Sequence, residues 1–336
     1  MDQGNWTAVT EFLLLSLSEH AQIRSLLFVM FFMMYLINLL CNGIMILLIG
    51  SDPQLHTPMY FFLGNLSFMD MCFSSITVPK MLTNLLSENK IISFGGCITQ
   101  LFFFIFFLGA ECMLLSIMAY DRFIAICDPL HYITIMNRWV CLGMTAALWA
   151  ISCLNATLHA LLISHLTFCH SNNIHHFFCD LTPLLKPSCV DTSVNELVIF
   201  TEGSLLVLVP FLVILISYVR IISTILKIQS TNGRHRAFST CSSHLTVVTL
   251  FYGTLMFMYL KPPSNYSLEK DRIASVVYNV LSPMLNPFIY SLRNKDVKRA
   301  LDRNVCKRAT EFLILVATKS RPELPLETGD LFFSAF

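Results

Sequence analysis

The chain has 336 residues, and its 22 Lys and Arg nearly balance its 21 Asp and Glu, which leaves a formal net charge of +1. Hydrophobic residues make up 55% of the chain and charged residues 13%, about half the ~25% charged share of an ordinary soluble domain. This composition excludes a disordered chain and a nucleic-acid-binding domain with a basic face. It is the composition of a membrane protein if the apolar residues are grouped.

The apolar residues are grouped into seven segments, each long enough to cross a bilayer, which takes about 20 residues. The apolar core of each segment contains at most one charged residue. Because backbone groups in lipid must bond internally, these segments are expected to be helices. We therefore predict an all-α membrane protein with a seven-helix bundle, whose spans lie at about residues 25–50, 57–79, 97–122, 139–163, 197–226, 237–260 and 272–292.

The distribution of Lys and Arg predicts the orientation. With the N-terminus outside, seven of the 22 basic residues face outward and the other fifteen face inward, as the positive-inside rule requires. Residues 1–24 are then an extracellular tail, 25–292 the membrane domain and 293–336 a cytoplasmic tail. The first 20 residues lack a basic leader followed by an apolar core, so the first span is expected to act as the insertion signal.

Four cysteines lie on the outward side. Cys169, Cys179 and Cys189 belong to the longest outward loop, predicted at 164–196, and Cys97 opens the third span on the same face. In an oxidising compartment they suggest two disulfides, for which three pairings are open. One bridge with two free thiols is an alternative, and the histidines of this loop make a zinc site conceivable, although disulfides use the cysteines better.

Glycosylation sequons occur both in the predicted outward segments and inside a predicted span. Asn5 begins a sequon on the outward tail, and Asn265 begins a second one in a short loop close to the membrane. Asn155 begins another, but it lies inside the fourth span and is therefore not expected to carry a glycan. The sequence predicts a glycan at Asn5.

Two carboxylates lie in the middle of predicted spans, where they are costly and therefore mark functional sites. Asp70 lies in the second span and Glu111 in the third, and the amides of Asn42 and Asn286 could join them. Such a group could hold a small cation such as sodium, or share a proton. A hydrogen-bonded packing network without an ion explains it equally well, so both interpretations stay open.

The third span ends with Asp121 and Arg122 at the cytoplasmic edge. A neighbouring acid can hold an arginine in a resting arrangement. Polar residues near the inner ends of the fifth, sixth and seventh spans could receive the arginine when the helices move. Interfacial snorkelling is the simpler explanation for one arginine, but the set of partners favours a switch: Tyr218, His244 and Tyr290. Pro287, next to Asn286, permits a kink in the seventh helix.

These residues resemble those of a known family. Seven spans with Asp121-Arg122-Phe123 and Asn286-Pro287-Phe288-Ile289-Tyr290 resemble a rhodopsin-like G-protein-coupled receptor. Further motifs narrow the resemblance, over about residues 5–305, to the olfactory (odorant) receptors of tetrapods. They are Pro58-Met59-Tyr60-Phe61-Phe62-Leu63, the run Met118–Cys127, Ser217-Tyr218, the run Ala237–His244, and Pro283-Met284-Leu285-Asn286-Pro287.

The resemblance implies a set of roles. It pairs Cys97 with Cys179 and Cys169 with Cys189, with Cys97–Cys189 as the alternative. It implies a multi-pass plasma-membrane receptor without a cofactor or an enzymatic activity. The implied partners are a small volatile odorant, membrane lipid and a heterotrimeric G protein of the olfactory Gs type, which raises cyclic AMP. It assigns the polar core and the activation switch to residues already named: Asp70, Glu111, Arg122, Tyr218, His244 and Tyr290.

The ligand pocket of such a receptor is expected in the outer half, among the third, fifth, sixth and seventh helices. Stripes at helical spacing would line an apolar cavity with a few polar groups, although helix packing explains any single stripe. Glu202 is either a polar anchor or a buried acid bonded to a neighbour. The stripes are Leu101, Phe104, Ile105, Leu108 and Gly109; Ile199, Glu202, Gly203 and Leu206; Tyr252, Leu255, Met256 and Tyr259; and Val276 with Asn279.

The same segments exclude some ligands and other functions. The outer half of the third span has no Asp to pair with an amine, and the seventh has no Lys for a retinal Schiff base. A transporter would show inverted repeats with paired broken helices, and none is visible. A membrane enzyme would need a nucleophile with its base or a metal-ligand motif at membrane depth, which is also missing. The sequence predicts a receptor for volatile, mostly apolar molecules.

Overall fold

The computed structural model describes residues 9–15, 20–168, 172–174, 176–259, 268–293 and 296–303. Within these ranges it leaves undescribed the side chains of 235, 236, 239, 240, 258, 259, 268–271 and 291–293. Several predictions from the sequence therefore lie outside the described residues: Asn5, Asn265, Cys169, the side chain of Tyr259 and the tail beyond 303.

Seven helices form a bundle, which confirms the predicted fold class. Within the described residues, the first five are long and apolar enough to cross a membrane, and the sixth contains the shorter apolar stretch Cys241–Phe257. The seventh is continuous but changes from α to π geometry and back. The helices are α1 (Ala21–Ser51), α2 (Pro58–Leu86), α3 (Phe94–Cys127), α4 (Arg138–Ser164), α5 (Ser193–Leu226), α6 (Thr231–Tyr259) and α7, which comprises Leu268–Val276, the π-helical Val277–Leu281 and Ser282–Arg293.

The third and fourth helices begin at capping residues whose side chains satisfy backbone N–H groups of the first turn. Oδ1 of Asn137 accepts hydrogen bonds from the backbone N–H groups of Trp139 and Val140, at 3.0 and 3.1 Å, and so starts α4. Oγ of Ser93 accepts from the N–H of Gly96 at the start of α3, at 3.1 Å. These contacts satisfy donors that have no partner within the helix.

The second helix is longer than the sequence predicted. We expected it to end near Pro79, but α2 continues for two turns to Leu86. Proline removes one donor without preventing the next turn, and Oγ1 of Thr83 donates to the carbonyl of Pro79 at 2.9 Å. Because Met81 and Leu85 on the added turns are buried, packing stabilises the extension.

The third helix lies at the centre of the bundle. It packs against α2, α4, α5 and α6, whereas α1 packs against α2 and α7. A helix in this position runs from the outer to the inner end of the bundle and contacts several neighbours along its length.

A small sheet covers the outer end, and the sequence analysis missed it. Strand β1 (Glu11–Leu14) pairs antiparallel with β2 (Ile91–Ser93) and parallel with β3 (Asn173–Ile174), in the order β2-β1-β3. Phe12 of β1 is fully buried, with its ring centroid 5.9 Å from that of Phe94 and 5.1 Å from that of Phe168. This part of the predicted free tail is therefore built into the fold.

The inner end is closed by side-chain contacts. Residues 296–303 are helical, and the guanidinium of Arg303 donates to Oδ2 of Asp52 from Nη2 at 2.5 Å and from Nε at 3.2 Å. The pKa of the Asp52 carboxyl is lowered, first by the hydrogen bond from Arg303 and then by that from the backbone of Gln54. The ion pair ties this helical segment to the end of α1.

Candidate functional site

A cavity of about 690 Å³ opens in the outer half of the bundle, within the size range of small-molecule sites. It lies among α3, α4, α5, α6 and a short helix of the second outward loop, Leu181–Leu185. Its wall is mainly apolar. Nine residues predicted from the helical stripes line it: Phe104, Ile105, Leu108, Gly109, Ile199, Gly203, Leu206, Leu255 and Met256.

Three predicted residues of α3, α5 and α6 do not line this cavity. Leu101 is fully buried in the packed core nearer the outer end of α3. Tyr252 is buried against α3, where its Oη donates to the carbonyl of Cys112 at 3.0 Å. Glu202 interacts electrostatically with His159 of α4. This contact favours the interpretation of Glu202 as an acid with a neighbouring partner over its interpretation as a polar anchor for a ligand.

The described side chains of the seventh helix also stay out of the cavity wall, contrary to expectation. Its π-helical segment has more residues per turn than an α-helix. Residues at regular α-helical spacing therefore no longer lie on one face of this helix. Tyr278 faces the bundle instead, with its ring centroid 5.8 Å from those of Phe73 and Phe104. Asn279 is buried and donates from Nδ2 to the carbonyl of Ser275 at 2.9 Å, and Val276 packs against the core.

The sequence reasoning missed one whole side of the cavity. Asn155 and His159 of α4 line it, together with residues of the second outward loop. A signal was available for α4, because an amide and an imidazole in an apolar span are themselves costly and mark candidate sites. The loop gave no comparable signal. Its lining residues are Leu181, Thr182, Leu185, Lys186, Ser188 and Val190.

The second outward loop is fixed over the cavity by a disulfide between Cys97 and Cys179, the pairing that the resemblance implies. The alternative Cys97–Cys189 pairing is therefore wrong. Cys189 is also disulfide-bonded, while Cys169 lies outside the described residues. Next to the bridge, the backbone N–H of Cys179 donates to Oε1 of Gln100 at 3.0 Å, which holds the loop on α3.

Two titratable groups are buried in this loop. Burial raises the pKa of Asp180 to about 6, although its Oδ1 accepts from the backbone N–H of Leu181 at 2.7 Å and starts the short helix. Burial, followed by the positive charge of Arg272, lowers the pKa of His176 to about 3. The His176 ring is therefore neutral, and its Nε2 lies 3.2 Å from Oγ of Ser275 in α7.

The polar core in the middle of the bundle joins three helices. Nδ2 of Asn286 in α7 donates to both carboxylate oxygens of Asp70 in α2, at 3.1 and 3.0 Å. Nδ2 of Asn42 in α1 donates to the carbonyl of Pro283 at 3.2 Å. Glu111 interacts electrostatically with Asp70, and its Oε1 has no hydrogen-bond partner among the described residues. These contacts form the hydrogen-bonded packing network that was one of the two interpretations of the sequence. A sodium ion at Asp70 and Glu111 stays a prediction.

At the inner end of α3, Arg122 is held by its neighbour. Nε and Nη2 of Arg122 donate to Oδ2 of Asp121 at 3.1 and 2.8 Å. Oη of Tyr132, in the second inward loop, donates to the other carboxylate oxygen at 2.7 Å. Asp121 is fully buried, so its charge is compensated by this ion pair and hydrogen bond.

The three expected receivers of Arg122 have other positions here. Nε2 of His244 donates to the carbonyl of Leu115 at 3.1 Å, so in the neutral ring Nδ1 accepts from Oη of Tyr218, at 2.8 Å. Oη of Tyr290 is buried without a hydrogen-bond partner in the described part of the chain. Arg122 therefore contacts Asp121 and none of the three expected receivers, and the switch itself stays a prediction.

A seven-helix membrane bundle with an outer cavity and an Asp–Arg pair at the inner end of the third helix is the architecture of a G-protein-coupled receptor. The family model described as olfactory receptor matches residues 31–308. The chain belongs to the olfactory receptor family, a family of multi-pass plasma-membrane receptors that bind odorants and couple to G proteins.

Curated relatives agree over nearly the whole chain. Olfactory receptor 1468 of Rattus norvegicus is 50% identical over 314 residues, which cover 94% of this chain and all of that protein. Olfactory receptor 1C1 and olfactory receptor 1F1 of Homo sapiens are 52% and 53% identical, over 91% of this chain and 98% of each relative. These relatives are receptors rather than enzymes.

Proposed function

We propose that the chain binds small volatile, mostly apolar molecules in the outer cavity and activates a heterotrimeric G protein of the olfactory Gs type, raising cyclic AMP. The observation that carries this proposal is the position of α3. The outer half of this helix lines the cavity through Phe104 and Leu108, and its inner end carries the Asp121–Arg122 pair. A ligand and a G protein would thus act on opposite ends of one helix.

The cavity wall supports an apolar ligand. Leucine, isoleucine, phenylalanine and methionine side chains from α3, α5 and α6 surround the space. Burial of apolar surface contributes about 25 cal/mol per Å², so shape and burial would supply most of the affinity. The receptor has no catalytic step in this proposal, since binding energy acts only on the balance between two helix arrangements.

Two hydrogen bonds between α6 and α3 could change when a ligand shifts the equilibrium between the two helix arrangements. Tyr252 bonds the carbonyl of Cys112 beside the cavity, and His244 bonds the carbonyl of Leu115 nearer the inner end. A ligand that moves α6 relative to α3 would weaken both bonds. Tyr218 would then be released from His244 and become available to Arg122 when the latter leaves Asp121.

Some assignments extend the proposal. We propose that the Asp70–Asn286 contact transmits the change between α2 and α7, with or without a sodium ion near Asp70 and Glu111. We also propose a glycan on Asn5, because Asn5 begins a sequon on the outward tail. We further propose a disulfide between Cys189 and Cys169, because Cys169 is the remaining outward cysteine.

The experiment is a cyclic AMP reporter assay in cells that contain the olfactory Gs-type protein, with a panel of volatile odorants and surface staining of each receptor. A dose-dependent response is expected. Arg122→Ala should abolish it at normal surface level, whereas Arg299→Ala, which changes an exposed arginine on the same inner side but outside the second and third inward loops, should leave it intact. Equal responses of Arg122→Ala and the unchanged receptor at equal surface level would contradict the proposal.

The type of G protein needs its own comparison. The same cells without the Gs-type α subunit should give no cyclic AMP response, and a response that persists there would contradict Gs-type coupling.

A chain that ends after Lys307 tests the remaining tail. It should signal like the full chain if the coupling surface lies in the second and third inward loops, as the resemblance implies, and a gain in signal would assign an inhibitory role to the tail.

A further inference from the structure

One wall of the cavity carries a polar group that has no partner. Asn155 of α4 lines the cavity and is only 9% exposed. Its Oδ1 has no hydrogen-bond partner among the described residues. A buried amide without a partner is costly, and protein interiors rarely retain one unless another molecule satisfies it.

The same face of α4 is polar above and below this amide. His159, four residues towards the outside, also lines the cavity. Ser152, three residues towards the inside, is fully buried, and its Oγ is likewise unpartnered in the described part of the chain. Residues three and four apart share one helix face, so Ser152, Asn155 and His159 form a polar stripe on a mostly apolar helix.

The opposite wall leaves room beside this stripe. Gly109 of α3 lines the cavity, and a Cβ atom placed on it would lie 3.5 Å from Oγ of Ser152 and 4.0 Å from Cδ1 of Leu206. Because glycine has no side chain there, the space between α3 and α4 remains open to one ligand atom, such as a hydroxyl oxygen.

We propose that Asn155 is a specificity-determining residue, which selects apolar odorants that carry a hydroxyl group. This inference rests on the proposed function of the cavity and narrows its ligand class. An asparagine amide accepts through Oδ1 and donates through Nδ2. A hydroxyl both donates and accepts, so it matches the amide at both ends, while the apolar body of the ligand lies against Ile105, Leu206 and Leu255.

Other oxygen-containing odorants match this amide less well. An aldehyde, ketone or ether oxygen can only accept, and it would leave Oδ1 of Asn155 without a donor. A site with a polar group that a ligand fails to satisfy discriminates against that ligand. The polar residues at the mouth of the cavity discriminate less, because Glu196 is exposed and already accepts from Oγ1 of Thr192 at 2.9 Å.

The test uses matched odorants in the cyclic AMP reporter assay. Short linear, terpene and aromatic alcohols are each paired with the corresponding aldehyde or ketone and the corresponding methyl ether. The unchanged receptor should respond to at least one alcohol at a concentration about tenfold lower than to its two partners, a ratio that corresponds to about 1.4 kcal/mol.

Substitution of the amide should remove this preference. Asn155→Leu keeps the approximate volume but neither donates nor accepts, so the potency ratio between alcohol and ether should fall to about one. Asn155→Ser retains a hydroxyl and should keep part of the ratio. Asn195→Leu is the matched control, because Asn195 is also buried with an unpartnered Nδ2 in the described residues but does not line the cavity.

The outcomes separate this inference from the proposed function. A response confined to carbonyl compounds, ethers or hydrocarbons would overturn the hydroxyl preference and leave the odorant receptor proposal intact. An alcohol preference that is unchanged in Asn155→Leu, at equal surface level, would overturn the role of Asn155. Silence towards every odorant, despite surface staining, would contradict both the inference and the proposed function.

Discussion

The outer and inner ends of the bundle are held together by different kinds of interaction. The outer end has a disulfide between Cys97 and Cys179, a three-stranded sheet and a cluster of aromatic rings around Phe12. The inner end has side-chain hydrogen bonds and ion pairs, such as those of Asp121 with Arg122 and of Asp52 with Arg303.

Under the proposed function, this difference separates a fixed end from a switchable one. Covalent bonds and backbone ladders do not exchange partners, whereas an arginine can leave one carboxylate for another acceptor within the same bundle. We therefore propose that the outer end keeps the cavity in shape and that the inner end adopts a second arrangement during signalling. The following predictions weaken each end in turn.

The largest effect is expected from the loss of the disulfide. Cys97→Ser opens a bridge between residues 82 apart in sequence, which should cost about 4 kcal/mol of stability by loop-closure entropy. The receptor should then be retained inside the cell. Flow cytometry of surface-stained cells measures this, and Cys153→Ser, which changes an exposed free cysteine of α4, is the control. Normal surface levels of Cys97→Ser would show that the bridge is dispensable.

The next largest loss of stability is expected from a substitution in the outer sheet. Phe12→Ala removes a fully buried ring from between Phe94 and Phe168, and by analogy with core phenylalanines should cost about 3 kcal/mol. The melting temperature of the purified receptor should fall, together with odorant potency, because β1 connects two loops at the outer end. Leu13→Ala is the control, since Leu13 on the same strand is exposed. Equal losses in both variants would contradict a specific role of the Phe12 ring.

The two buried titratable groups of the second outward loop should give smaller effects of opposite sign. The folded-state pKa of His176 is lowered to about 3, so the unfolded state binds more protons below the usual histidine pKa, and stability falls in acid. The folded-state pKa of Asp180 is raised to about 6, so the folded state binds more protons above the usual aspartate pKa, and stability rises in acid. Linkage gives about 2 kcal/mol lost through His176 and about 1 kcal/mol gained through Asp180 between pH ~7.5 and pH ~5.

Thermal unfolding at the two pH values would measure these contributions. His176→Gln should make the receptor more stable in acid than at neutral pH, because only the Asp180 contribution remains. Asp180→Asn should steepen the loss of stability in acid. If both variants show the same pH dependence as the unchanged receptor, the burial of these groups does not control the stability of the loop.

The inner end and the polar core in the middle of the bundle could be predicted from the sequence to a large extent. Hydropathy gave the seven spans, and the cost of charges in lipid singled out Asp70, whose contact with Asn286 the structure contains. Asp121 and Arg122 are adjacent in sequence, so their ion pair is local and needs no knowledge of the tertiary fold. The polar partners Tyr218 and His244 were found, but their bond to each other depends on how α5 and α6 pack.

The outer end could be predicted less well, since its contacts connect distant parts of the chain. The sheet joins residues near 12, 92 and 173, and strands of two to four residues are too short for a pattern to stand out. Asn155 was considered only as a glycosylation sequon, although its position in an apolar span was itself a signal. The π-helical segment of α7 could not be foreseen, because it breaks the regular period on which the stripe of Val276 and Asn279 depended.

The most direct measurement is a cyclic AMP comparison of four receptors at equal surface level: the unchanged chain, Gly203→Trp, Asp121→Asn and the double variant. Gly203 lines the cavity, and a Cβ placed on it has no heavy atom within 4 Å, so the indole should occupy the cavity without a clash. Gly143→Trp, at an exposed glycine of α4 with equal space, controls for the substitution itself.

If the cavity binds the odorant and the ion pair holds the resting state, Gly203→Trp should lower odorant potency at least about tenfold without changing basal signalling. Asp121→Asn should raise basal signalling, because it releases Arg122. The double variant should combine the raised basal signal with the lost odorant response. An odorant response in Gly203→Trp equal to that of the unchanged receptor, or a basal signal in Asp121→Asn that does not rise, would contradict the division between a binding end and a switching end.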